Sequence, residues 1–249
     1  MIKFFRKIRQ KSLTENKTGK YFKYAFGEIV LVVIGILIAL QINNWNSNRL
    51  VEINITNYYE RIIVELDEET EKAMKAKAML ESLIDKSEHA LRIIASKNTD
   101  SISVLKDVLG ATATTWDVCF QFPITKEFID QNYLSKIKND TIKMNFELLA
   151  MLFDRSERLR DNNNTQYLNT IEPFFIKNIN YSEVALPNYI EKMVQGGPTI
   201  NYEDLFNNLE LWNIITFKFE ALMGESRMLS RSIKGFQVIK VYLEKEIEY

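Results

Sequence analysis

Residues 25–44 read AFGEIVLVVIGILIALQINN, and this stretch decides the architecture. From Ile29 to Leu40 there is no polar side chain, and Glu28 is the only charge in the whole stretch. A helix rises 1.5 Å per residue, so about twenty residues span about 30 Å, the thickness of a bilayer's hydrocarbon layer. Tyr21, Phe22 and Tyr24 stand at one end and Trp45 at the other. Amphipathic rings favour the two interfaces of a membrane. The stretch is therefore expected to be a transmembrane helix, bounded at residues 24–45.

Charge sets the expected orientation. Residues 1–23 carry eight Lys/Arg against one acid, Glu15, a balance of +7. The whole chain is −1, which leaves −8 for the rest. After the span comes only Arg49, soon offset by Glu52. The positive-inside rule places residues 1–23 in the cytoplasm as a basic tail and residues 46–249 outside, in the periplasm of a bacterium with two membranes. A basic arm also suits nucleic acid, but the apolar stretch that follows at once favours the anionic face of a bilayer. Ile2, Phe4, Phe5 and Ile8 alternate with cations in the tail, a pattern equally suited to a short helix on the leaflet and to a plain topogenic leader. A buried core helix and a cleaved signal peptide are the two competing readings. The aromatic belts oppose the first, and the lack of a small-x-small cleavage site in 41–45 opposes the second.

Within the span, a carboxylate at Glu28 costs a few kcal/mol unless it reaches the interface, is protonated or finds a partner. Gly35 and Ala39 form a small-xxx-small pair, with Gly27 two turns earlier on roughly the same face. Such faces let helix backbones approach. Glu28, Gly35, Ala39 and Trp45 are thus the candidate residues for contact with the membrane, a membrane-protein partner or a second copy.

The longer stretch NKTGKYFKYAFGEIVLVVIGILIALQINNWN, Asn16 to Asn46, resembles the N-terminus of a large, functionally uncharacterised family of single-pass membrane proteins of the Bacteroidetes. The resemblance is specific over about thirty residues and loose beyond Trp45. It implies an inner-membrane anchor followed by a helical domain, and it supplies no catalytic residue, cofactor or ligand.

Beyond the span the periodicity is helical. Ile55, Tyr59, Ile62, Leu66, Ala73, Ala76, Leu80, Leu83, Ala90 and Ile94 make one apolar stripe, opposite a charged face that includes Glu65, Asp67, Glu68 and Glu69. No Gly or Pro falls between Gly35 and Gly110, and no Pro precedes Pro123. Asn98–Ser101 predicts a turn and cap, then a short helix to Leu109. Residues 110–123 read as a loop. Thr125 is expected to cap a short helix to about Ile137, and Asn139-Asp140 to open a second long helix that Pro173 kinks or ends. Residues 178–198 read as loop. Asn201 with Asp204 resembles a capping box for a final helix, which Gly224 and Gly235 weaken and are expected to divide. Three long one-faced helices must bury those faces together, so the expected class is all-α, an antiparallel bundle behind one membrane helix.

No chemistry emerges from the residue pattern. His89 is the only histidine, with Lys86 three residues before it where a Glu-x-x-His di-iron motif needs Glu. Asp85 and His89 read as a solvated pair, and Glu65, Asp67, Glu68 and Glu69 as a solvated face rather than a cation site. Cys119, the sole cysteine, forbids an internal disulfide and reads as a small buried hydrophobe. There is no phosphate loop, and Asp161–Asn164 lacks the Gly and closing Glu of a calcium loop. No catalytic, cofactor or metal residue is expected. Trp116, Phe120, Phe122, Phe174, Phe175 and Tyr181 flank irregular segments, so any small-molecule pocket is expected where those segments meet the helices. The functional expectation is a non-enzymatic interaction or scaffolding module. The alternative is a periplasmic small-ligand-sensing domain acting through a separate membrane partner, because a tail of residues 1–23 is too short to carry an output domain.

Overall fold

The computed structural model describes residues 18–114 and 118–248. Every regular element among them is helical, and no strand occurs. Helix α1 runs Thr18–Ser96, α2 Ile102–Thr112, α3 Pro123–Asp130, α4 Asp140–Gln166, α5 Glu172–Asn178, α6 Pro187–Ile190 and α7 Leu209–Glu248. The chain divides into two compact units, Met1–Thr56 and Asn57–Tyr249. Residues 1–17 of the basic tail expected over 1–23, and residues 115–117, which include Trp116, lie outside the described residues.

In the first unit, one helical segment is long and apolar enough to cross a membrane, by length and composition alone. None of its most apolar window is buried. Ile29, Leu31, Val32, Ile36, Leu37 and Leu40 are all more than half exposed. A core helix of a soluble protein hides at least one face, and here no face is hidden.

The second unit is built as helical stripes demand. From Tyr59 on, α1 buries Ile62, Leu66, Ala73, Leu80, Leu83 and Ala90. An aromatic core includes Tyr59: its ring lies 5.9 Å from Phe128, Phe128 stacks on Phe146 at 4.9 Å, and Phe236 meets Phe120 and Phe122 edge-on at 5.0 and 5.3 Å. A second cluster joins Ile93 and Ile94 to Leu109, Phe174, Phe175, Val184 and Ile215. Polar ties bridge the long helices: Lys240 to Asp67 at 2.6 Å, Lys97 to Asn207 at 2.6 Å, Asn139 to Glu246 at 2.5 Å and Asn163 to Glu225 at 3.1 Å.

Local chemistry sets most ends. Lys97, in the left-handed region at φ 52°, stops α1. Asn98 then accepts from the Asp100 N–H at 3.0 Å to start a 3₁₀ turn, Thr99–Ser101. Asn139 accepts from the Thr141 N–H at 3.0 Å and opens α4, as the sequence predicts.

Five expectations need correction. Helix α2 runs past Leu109 to Thr112, because Gly110 lets it lie against another segment: a Cβ there would run into the Val184 carbonyl oxygen. Thr125 does not cap α3. It lies in the first turn of a helix that starts at Pro123 and ends at Asp130, where Asn132 turns left-handed at φ 60°. Pro173 does not end α4, which stops at Gln166. A π-helical turn, Tyr167–Ile171, precedes it, and the proline sits in the first turn of α5, where its missing N–H costs nothing. Asn201 does cap, accepting from the Glu203 N–H at 3.2 Å, but it opens a 3₁₀ stretch, Tyr202–Asn207. Asn208 is the residue whose side chain accepts from Leu211 N–H, at 2.9 Å, at the start of α7. Finally, α7 runs 40 residues through Gly224 and Gly235 without a break. Burial of Leu222, Met228, Leu229, Phe236 and Ile239 along it outweighs about 1 kcal/mol of lost propensity per glycine.

Candidate functional site

The four residues singled out in the span sit on open helix. Gly35 and Gly27 have nothing within 4 Å of where a Cβ would stand, so the small-residue face is uncovered within this chain. Ala39 and Trp45 are exposed, and Glu28 is half-buried. Glu28, Ile29, Val32 and Val33 share a shallow cleft on the helix surface.

The second unit holds a site that the sequence does not announce. Glu65 and Glu69, read above as solvated, are 6% and 3% exposed. One helical turn apart on α1, they reach the irregular segment before α3. The first turn of any helix leaves N–H groups without partners, and Phe122, at the capping position of α3, offers no side-chain acceptor. Glu65 supplies one from a distant helix. Its carboxylate accepts from the Ile124 N–H at 2.6 Å, the Thr125 N–H at 3.1 Å and the Thr125 hydroxyl at 2.7 Å. The negative charge also meets the positive end of the helix dipole. Glu69 accepts from the Gln121 N–H at 3.3 Å and pairs with Lys72 at 2.7 Å.

Burial pushes the Glu65 carboxyl above the usual glutamate range, against the opposing pull of its hydrogen bonds from Thr125 and Ile124. Hydrogen bonding to Glu69 raises the Lys72 ammonium. Nearby, Tyr58 donates to Glu127 at 2.7 Å, and the Arg61 guanidinium lies 5.1 Å over the Tyr58 ring. One signal could have exposed Glu69: it falls where the stripe Ile62, Leu66, Ala73 needs an apolar side chain.

This clamp fixes the walls of two depressions that share Gln121 and Pro123. One, of about 450 Å³, carries the charged residues Arg61, Glu65, Glu68, Glu69 and Lys72 beside Val64 and Ile124. The other, of about 320 Å³, is apolar and lies between α3, α4 and residues 121–123. Phe122, Pro123, Ile129, Leu149, Ala150 and Phe153 form it, with Lys126 at the rim. That volume is at the low end of small-molecule sites. The aromatic residues named above thus part company. Phe120 and Phe122 are buried beside this cavity, whereas Phe174 and Phe175 belong to the second core cluster and Tyr181 is partly exposed.

A second polar cluster secures the segment after α5. Glu183 accepts from Lys106 at 2.5 Å, from the Tyr202 hydroxyl at 3.1 Å and from Asn180 at 3.2 Å. The Lys106 ammonium also lies 4.3 Å over the Tyr202 ring. The hydrogen bond from Lys106 holds the Glu183 carboxyl below its usual range.

Other candidates stay apart. Asp85 and His89 are both exposed on α1. Cys119 is half-buried rather than enclosed. Among the described residues no three His, Cys, Asp or Glu side chains gather in a way that could hold a metal ion. Comparison with protein-family models, with curated proteins and with solved structures finds no match.

Proposed function

We propose that the chain is a membrane-anchored envelope protein and a non-enzymatic interaction or scaffolding module. In this reading residues 1–23 face the cytoplasm, 24–45 cross the inner membrane and 46–249 form a periplasmic antiparallel bundle. The kinship is with the Bacteroidetes membrane family that Asn16–Asn46 resembles. The observation that carries the reading is the exposure of Ile29–Leu40 on every side of a helix. Water makes such a surface costly, and lipid does not. Support for the antiparallel arrangement comes from the polar ties. The residues rise from Asp67 on α1 to Lys97 just past its end, while their partners fall from Lys240 on α7 to Asn207 just before it.

The partner is a second membrane protein or a second copy, met on the face of Gly35 and Ala39 with Glu28 as the polar contact. The open space at Gly35 supports this, because small residues admit a neighbouring backbone. In-cell crosslinking of the full chain, beside a Glu28→Leu variant, is the test. A specific membrane crosslink that is lost in the variant is expected. Equal crosslinks in both chains would refute contact through this face.

A second reading, a periplasmic domain that binds a small ligand and acts through a separate membrane protein, is favoured by the apolar cavity beside Phe122.

A further inference from the structure

We propose that the cavity between α3 and α4 binds a single-chain amphiphile with an anionic head, a medium-chain carboxylate being the simplest member. The proposal deepens the second reading above and rests on it.

The walls argue for an alkyl chain. Phe122 and Leu149 are buried at the floor, Ile129 and Phe153 are half-buried at the sides, and Pro123 and Ala150 open to solvent. Two of the polar groups beside the cavity are already engaged elsewhere. The Thr125 hydroxyl donates to Glu65, and the Gln121 N–H is directed at Glu69. A peptide laid here would leave backbone N–H and C=O groups facing apolar walls, at a cost of kcal/mol each, whereas an alkyl chain carries none. The volume, about 320 Å³, admits one chain of moderate length and not a two-chain lipid.

The rim argues for the head. Lys126 is the only charged residue lining the cavity, and it makes no ion pair among the described residues. It lies one turn after Phe122 on the exposed edge of α3, with its N–H bonded to the Phe122 carbonyl at 2.9 Å. A carboxylate at the mouth gains a charge-assisted hydrogen bond there. Glu65 and Glu69, on the far side of Pro123, are occupied by N–H groups and Lys72, so these two compete little with an anionic head.

The test uses the full chain in lipid nanodiscs, photolabelled with a decanoic acid carrying a diazirine on its chain, and maps the labelled peptides. Label is expected within 121–129 and 149–153, and excess decanoate should lower it about tenfold more effectively than decanol. Ala150→Trp, at an exposed position, should cut that label about tenfold by filling the cavity while the helical spectrum is unchanged. Lys126→Glu should abolish the preference for decanoate over decanol. Equal competition by the two in the unaltered protein, which needs no variant to fold, overturns the anionic head. Label elsewhere in 57–248 that Ala150→Trp leaves untouched overturns this site but leaves a small-ligand domain standing. Label confined to 25–45 overturns both.

Discussion

Helix α1 carries two hydrophobic patterns within one element. Between Ile29 and Leu40 the apolar residues go all the way round, and every one of the large ones is well exposed. From Tyr59 to Ile94 most of them keep to one stripe, and that stripe is buried, with Val64 and Met74 left exposed. The backbone hydrogen bonding is the same in both, so helicity does not separate the two regions. What separates them is which solvent could satisfy the side chains. A stripe with a charged opposite face needs other helices to complete it. An all-apolar surface needs lipid or another all-apolar helix.

The most direct challenge to this contrast is a labelling experiment with an all-or-none outcome. Val194 is 92% exposed in the second unit. A Val194→Cys, Cys119→Ser chain should react with a membrane-impermeant maleimide added to intact spheroplasts. Reaction only after lysis would place the second unit in the cytoplasm and reverse the topology.

The next largest effect compares one residue type at two places on α1. Ile62 is fully buried and Ile34 is 46% exposed. Ile62→Ala should lower the unfolding free energy of the second unit by about 2–5 kcal/mol in chemical denaturation, through lost burial and a residual cavity. Ile34→Ala should leave it within about 0.5 kcal/mol. A comparable loss at Ile34 would mean that the span is part of the folded core.

Carboxylates on the same stretch of α1 extend the point. Glu65→Ala removes three hydrogen bonds and leaves two N–H groups of α3 without a partner, that of Thr125 buried, a loss of about 2–3 kcal/mol. Glu68→Ala, on the exposed face, should change stability by less than about 0.5 kcal/mol. Equal effects would contradict the remote cap.

Helical glycines give a smaller contrast. Neither Gly35 nor Gly224 has any atom within 4 Å of where a methyl group would stand. Gly224→Ala should stabilise the second unit by up to about 1 kcal/mol from helix propensity alone. Gly35→Ala should leave that stability unchanged and alter only crosslinking between membrane helices.

The smallest effects concern pH. The folded Glu183 titrates below its unfolded value, so its contribution is complete above the ordinary glutamate range, near pH ~4.3, and fades as pH falls through the lowered folded value. Glu65 has the opposite sign. Its folded value is raised, so its ionisation costs stability as pH rises from the ordinary range through that raised value. Glu183→Gln should therefore flatten the acid-side loss of stability. Glu65→Gln should flatten the decline on the other side, and unfolding curves over about pH 3–7 would show both.

How much of this was legible depended on the distance over which each decision is made. The membrane-length run, the stripe on α1 and the cap at Asn139 were all readable, because each is written within a few residues of where it acts. Asn201 is legible as a cap but the element it opens is not, since a 3₁₀ stretch and an α-helix begin with the same chemistry. The unbroken course of α7 through Gly224 and Gly235 is not legible, because propensity is local but the burial that overrides it is not.

The order of residues alone therefore dictated that the chain is helical, where one helix is apolar enough for a bilayer, and which faces seek cover. Those properties follow from periodicity, composition and the chemistry of caps. It took the packed fold to make Glu65 cap a helix from the far side of a loop, to require that Gly110 admit the Val184 carbonyl, and to leave a cavity between Phe122, Leu149 and Phe153. Glu65 and Ile124 stand 59 residues apart, and no short-range pattern marks the pair. A buried carboxylate and a solvated one are the same letter, and only the surface packed against it tells them apart.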